Sequence, residues 1–172
     1  MINLEKIGIE KLLAIVPPHP AIRIAHFSNN DTLLSSVLGN FCQEKEYELL
    51  IHCVGNKHFD FISKDYDSVD SVSVVNFSLD RPRYMMQGKQ YDFVFVTLSD
   101  DVEDIGSFLK KVHGIIKNAG NIILFMEKDN ASKRHHWIQR LEENYYVASS
   151  TIDDLFKGCD VVISKKMHGW GG

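Results

Sequence analysis

Two short polar turns carry the residue types best able to do chemistry. Ser28-Asn29-Asn30-Asp31 follows the apolar run AIRIAHF (21–27), and Ser99-Asp100-Asp101 follows YDFVFVTL (91–98). Each offers hydroxyl, amide or carboxylate oxygens directly after a strand-like run. In an open parallel sheet that is where ligands bind, beyond the carboxyl ends of the strands. The same residue types are also good helix caps, since their oxygens accept from the free N–H groups of a first turn. A capping role does not prevent them from facing a cleft. His52, inside the apolar run ELLIHCV (48–54), is a third polar candidate, either as a ligand-facing group or as a core histidine.

Other chemistries find no support in the spacing. There is no Gly-x-x-x-x-Gly-Lys-Ser/Thr phosphate loop, no Gly-x-Ser-x-Gly elbow and no His-Glu-x-x-His pair. Cys42, Cys53 and Cys159 are scattered and odd in number, which fits buried reduced thiols rather than a disulfide framework or a zinc site. His135 and His136 are adjacent and would point to different sides of a helix, so no metal is expected. The basic stretch Lys133, Arg134, His135, His136 and Arg140 reads as a solvated helix face. With a net charge of −4 there is no broad attraction to nucleic acid or to an anionic membrane.

The elements that position these residues alternate. Ile9, Leu12, Leu13 and Val16 suggest a leading helix, halted by Pro17 and Pro18. After the strand at 21–27, Leu33, Leu34, Val37, Leu38, Phe41 and Cys42 share one helix face. The run at 48–54 reads as a buried strand, a weaker helix covers 58–64, and strands follow at 71–77 and 91–98. Val102, Ile105, Phe108, Leu109, Val112, Ile115 and Ile116 predict a four-turn helix, with acids near its start and Lys117, Asn118 and Gly120 at its exit. A strand at 121–127 and a helix over 131–143 come next, the helix turning Trp137, Ile138 and Leu141 inward. YYVASST (145–151) and DVVISKK (160–166) are separated too briefly for a helical crossover and should pair antiparallel. Repeated βα units require a mostly parallel sheet with helices on both faces.

The chain of 172 residues, 44% hydrophobic and 24% charged, is expected to form one domain over 1–172. Its parts are a leading helix in 1–19, a sheet core in 20–166 and a tail in 167–172, where Trp170 would cover a sheet edge. No apolar run reaches the ~20 residues of a membrane span, and the first residues lack a signal-peptide pattern, so a cytoplasmic protein is expected. Partners and oligomeric state stay open; the strands at 71–77 and 145–151 are candidate pairing edges.

The stretch Tyr91–Phe125 resembles the central part of the class I S-adenosylmethionine-dependent methyltransferases. The likeness rests on Tyr91-Asp92 opening the fourth strand, the Val102-Glu103-Asp104 segment, the Phe108-Leu109 pair, and Ile115 to Gly120 before the fifth strand. The closing hairpin is similar too. The resemblance implies a Rossmann-like α/β fold with strand order 3-2-1-4-5-7-6 and the last strand antiparallel. It also implies a cofactor site lined by Phe27, Ser28, Asn29, Asn30, Asp31, His52, Leu98, Ser99 and Asp100, with Asp101 beside them. Two family features are missing. The glycine-rich turn is replaced by Ala25–Asp31, which has no glycine, and the second strand ends Ile51-His52-Cys53-Val54-Gly55 without the acid that would hold the ribose. Asn29 and Asn30 can supply positive φ but cannot remove a β-carbon. S-adenosylmethionine binding is therefore expected to be weak or absent. Two functions follow: methyl transfer with an unorthodox cofactor loop and unknown acceptor, or a non-catalytic module that binds a protein or small molecule.

Overall fold

The computed structural model describes residues 2–167. Its elements in chain order are α1 (Lys6–Leu12), β1 (Arg23–Ser28), α2 (Leu33–Lys45), β2 (Glu48–Cys53), α3 (Asn56–Tyr66), β3 (Val72–Asn76) and β4 (Tyr91–Val96). There follow α4 (Ile105–His113), β5 (Ile116–Glu127), α5 (Ala131–Glu143), β6 (Tyr146–Ile152) and β7 (Cys159–Lys166). Short 3-10 turns sit at Leu13–Ile15 and Ser99–Asp101. The strands form one sheet in the order β3-β2-β1-β4-β5-β7-β6. Every pairing is parallel except those of β7 with β5 and with β6.

The period-2 alternation of strand side chains sorts the core into two layers. Ile24, Ile51, Phe93 and Phe95 face α1, α2 and α3 through Ile9, Leu12, Leu34, Leu38 and Ile62. Ala25, Phe27, Val94 and Val96 face the opposite layer, built by Phe108, Leu109 and Val112 of α4 and Trp137 and Leu141 of α5. Ile138 is only partly buried beside Trp137. Cys42, Cys53 and Cys159 are free and buried. Among the described residues no helix is long and apolar enough to cross a membrane. The expected Trp170 edge cover lies outside the described residues.

The helix expected to carry Val102 through Ile116 is shorter at both ends. A 3-10 turn at Ser99–Asp101 interrupts the chain, and the helix restarts where Asp104 accepts a hydrogen bond from Ser107 N at 3.0 Å. At the other end the buried Lys166 ammonium donates to the carbonyls of His113 (3.0 Å) and Ile116 (2.9 Å), which closes the helix end and releases Ile116 into β5. Ile116 pairs with Tyr91, and the register then jumps to Phe93 with Asn121, so Lys117–Gly120 bulge out of the ladder. Ala119 takes φ 65° there, and a β-carbon on Gly120 would lie 2.6 Å from the Ile116 side chain.

Candidate functional site

The sheet order reverses between β1 and β4, which makes the crevice beyond Ser28 and Val96 the point where a doubly wound sheet opens to ligands. The residues singled out from the sequence converge on this end of the sheet but divide among three environments.

The first is the turn into α2. Asp31 caps that helix, its carboxylate accepting from Leu34 N (2.9 Å) and Ser35 N (3.4 Å). Burial raises its pKa to about 6, while those two N–H groups pull it down. The Ser28 hydroxyl donates to the Asp31 carbonyl at 3.2 Å, so the 2.9 Å contact with His58 Nε2 must be donated by the imidazole. Beneath them the fully buried His26 is satisfied on both nitrogens. Thr97 Oγ1 gives its proton to the Phe27 carbonyl (3.3 Å) and accepts from His26 Nε2 (2.9 Å); His26 Nδ1 accepts from the Ser35 hydroxyl (3.1 Å). Burial, then repulsion from His58 and His52, lowers the His26 pKa to about 3 and keeps the ring neutral.

The second environment is an open cleft of about 320 Å³ lined by Asn29, Asn30, Thr97, Asp100, Asp101 and Lys133, with Glu127 and Ile2 at its rim. Two contacts cross it. The Asn29 side-chain amide donates to the Asp101 carboxylate, spanning the switch point between the ends of β1 and β4. Lys133 of α5 pairs with Asp100. Neither Asn29 nor Asn30 is among the residues with positive φ. The left-handed conformation that either asparagine could adopt is not used, and Asn29 commits its side chain to the bond with Asp101.

The third environment is closed. Phe27, His52 and Leu98 point into the α4/α5 layer and are 0–1% exposed. The His52 imidazole stacks on Phe27 with ring centroids 4.2 Å apart and planes 5° from parallel, and it meets the edge of Phe77 at 4.8 Å. Tyr84 and Phe108 complete the cluster around Phe27 at 5.7 Å each. Neither His52 nitrogen has a hydrogen-bond partner among the described residues; the main chain of His26 lies near without the geometry of a bond. Burial lowers the His52 pKa to about 3. His52 is thus a core histidine, and one with unmet hydrogen-bonding capacity. Ser99 is also buried, with no partner for its hydroxyl among the described residues.

Sequence reasoning did not single out His26, Thr97, Phe77, Tyr84 or Lys133 as part of this region. His26 carried a usable signal, being a polar residue in an otherwise apolar buried strand that needs two partners. Phe77 and Tyr84 reach the cluster only through tertiary folding of the segment 78–90, which has neither helical nor strand spacing.

The seven-stranded order with a single reversed strand recurs in solved structures. An S-adenosylmethionine-dependent methyltransferase from Aquifex aeolicus superposes with a TM-score of 0.75 over 91% of this chain and 88% of its own, at 13% identity. This is the methyltransferase fold. A second protein with it, an S-adenosylmethionine-dependent O-methyltransferase from Thermotoga maritima, matches 100% of this chain and 69% of its own with a TM-score of 0.76 and 11% identity. The CurJ carbon methyltransferase matches 92% of this chain with a TM-score of 0.73 and 12% identity, and this chain spans about half of its length, 52%. No family model and no curated protein sequence matches the chain. The likeness to these methyltransferases therefore lies in the arrangement of the backbone.

Proposed function

We propose that this chain is a single-domain, cytoplasmic binding module on a methyltransferase fold, in which the usual S-adenosylmethionine corner is closed by its own side chains. The Phe27–His52 stack, sealed by Phe77 and Tyr84, carries this reading. At the end of β2, where the ribose would need a carboxylate, stands an imidazole 1% exposed and held neutral. At the end of β1 the turn brings β-carbons and an Asn29–Asp101 bond across the crevice that the cofactor would enter. The residues present do not fit that nucleoside.

Calorimetry with S-adenosylmethionine and S-adenosylhomocysteine tests the proposal. No binding heat is expected up to millimolar ligand, and a one-to-one heat below that concentration would overturn it. The second reading, methyl transfer to an unknown acceptor, is favoured by the open cleft at Asn29, Asn30, Asp100 and Asp101 and by the activities named for the proteins sharing the fold. A methylated product formed by the purified protein would decide for it.

A further inference from the structure

On the outer side of the closed cluster a groove of about 530 Å³ runs between the segment 78–90 and α4. Arg83, Tyr84 and Met85 form one wall, Lys110 and Lys111 the other. Among the described residues no carboxylate lies within ion-pair distance of Arg83, Lys110 or Lys111, in a chain whose net charge is −4. Lys110 and Lys111 also complement the negative end of the α4 dipole. That role does not account for Arg83, which arrives from a different segment and faces the same space.

The floor of the groove is Tyr84, which is 2% exposed. Its ring lies 4.9 Å from Phe77, 5.7 Å from Phe27 and 6.0 Å from Phe108, and Lys111 sits over it at 5.4 Å while donating to the Leu79 carbonyl at 3.4 Å. The hydroxyl is tethered by one bond, donated to the Leu79 carbonyl at 2.7 Å. Asp80 is the nearby acid, and together with burial it pushes the Tyr84 pKa up to about 12. The segment that holds Tyr84 contains no helix or strand. Behind Tyr84, sharing Phe27 and Phe77 with it, is His52, both of whose nitrogens are unpartnered among the described residues. A buried polar group without a partner is costly, and a ligand atom that bonded to it would recover that cost.

We propose that Tyr84 is a movable plug and that, when it turns out, groove and cluster together take one organic anion with a flat apolar body. Arg83, Lys110 and Lys111 hold its charged end, the rings of Phe27, Phe77 and Phe108 hold its body, and His52 offers a hydrogen bond to a polar atom on it. The inference rests on the binding-module reading and names the ligand class for it. The anionic end follows from the three cations and the flat body from the ring-lined interior.

The test is a fluorescence titration of the full chain with 8-anilinonaphthalene-1-sulfonate, a flat aromatic body with one sulfonate. Circular dichroism melts confirm that each variant is folded. Saturable one-to-one binding is expected. The surface double variant Arg83→Glu/Lys110→Glu should weaken it about tenfold in a chain that still melts cooperatively, a little lower for the lost complement to the α4 dipole, because complementary charge has become repulsive. Tyr84→Leu should tighten it severalfold, since the closed form no longer competes with the ligand. Tyr84→Phe, which only releases the tether to Leu79, is the milder variant and should move affinity in the same direction. Absence of saturable binding, or affinities unchanged in the charge-reversal and Tyr84 variants, would overturn the proposal. S-adenosylhomocysteine should not displace the probe. A heat from that nucleoside without displacement would overturn only the closed-corner reading, and a silent probe with no nucleoside heat only the plug.

Discussion

Replacing His52 with phenylalanine should flatten the response of stability to acid. The His52 pKa drops from 6.5 to about 3 on folding, through burial. Between those values the unfolded chain binds the proton and the folded chain does not, so stability falls as pH falls. His26 behaves alike, from 6.5 to about 3. Asp31 opposes them, because its folded pKa is raised from 3.8 to about 6. In its window the folded state holds the extra proton, and acid stabilises. From pH 7 to pH 4 each histidine costs about 3 kcal/mol at ~1.4 kcal/mol per pH unit, and Asp31 returns about 2–3 kcal/mol. These three groups together lose about 4 kcal/mol, a large share of the 5–15 kcal/mol typical of a domain, and burial lowers the pKa values of His58 and His113 in the same direction. His52→Phe removes one histidine contribution and should cut the loss between pH 7 and pH 4 by about 3 kcal/mol. At neutral pH the swap changes stability little, because relieving unmet nitrogens (about 1–3 kcal/mol) offsets the added ring bulk (about 1–3 kcal/mol). Urea unfolding followed by tryptophan fluorescence at pH 7, 5.5 and 4 gives the comparison. A variant that loses as much stability as the parent between pH 7 and pH 4 would refute the reasoning.

Gly120→Ala should destabilise by about 1–3 kcal/mol, because the new β-carbon would sit 2.6 Å from Ile116 Cγ2 and 2.9–3.0 Å from the Lys117 and Asp92 carbonyls; an unchanged melting temperature would show that the bulge has room. Asp104→Ala should cost about 1 kcal/mol in urea unfolding through loss of the α4 cap, while Asp104→Asn keeps most of it. Equal losses for the two would remove the capping account. Burial pushes the thiols of Cys42, Cys53 and Cys159 up to about 12, so the native protein should react with a disulfide reagent at pH 8 only as fast as it unfolds. A fast-reacting native thiol contradicts this. Restoring glycine through Asn29→Gly/Asn30→Gly should not create a calorimetric signal with S-adenosylhomocysteine, since Phe27 and His52 stay in place; a sub-millimolar signal would put the whole block in those two asparagines.

The succession of strands was legible because apolar runs of five to eight residues between polar turns have few other solutions, and the brief link between Tyr146–Ile152 and Cys159–Lys166 permits only a hairpin. The order of the strands was carried by the family resemblance of Tyr91–Phe125 and agrees with the sheet. The extent of α4 was not legible, because its stripe of apolar positions continues past both real ends. A cap at Asp104 and a lysine from the far end of the chain, Lys166, set the limits that periodicity could not. At the candidate site the helix-capping role of Asp31 could be read from residue type. The fate of His52 depended on Phe77 and Tyr84, 25 and 32 positions further on, and the Lys133–Asp100 pair spans 33 positions. Such contacts follow from the three-dimensional arrangement and leave no local mark in the sequence.

β7 lies between β5 and β6 although it follows both in the chain. During synthesis β6 therefore emerges with no neighbour to join, and the flank of β5 stays open until Cys159–Lys166 have left the ribosome. Through its Lys166 anchor the same segment then stitches the finished sheet to the end of α4. Sheet closure and helix termination thus arrive in one late event, and an unfinished chain presents an unsatisfied strand edge for its neighbours on the polysome to find.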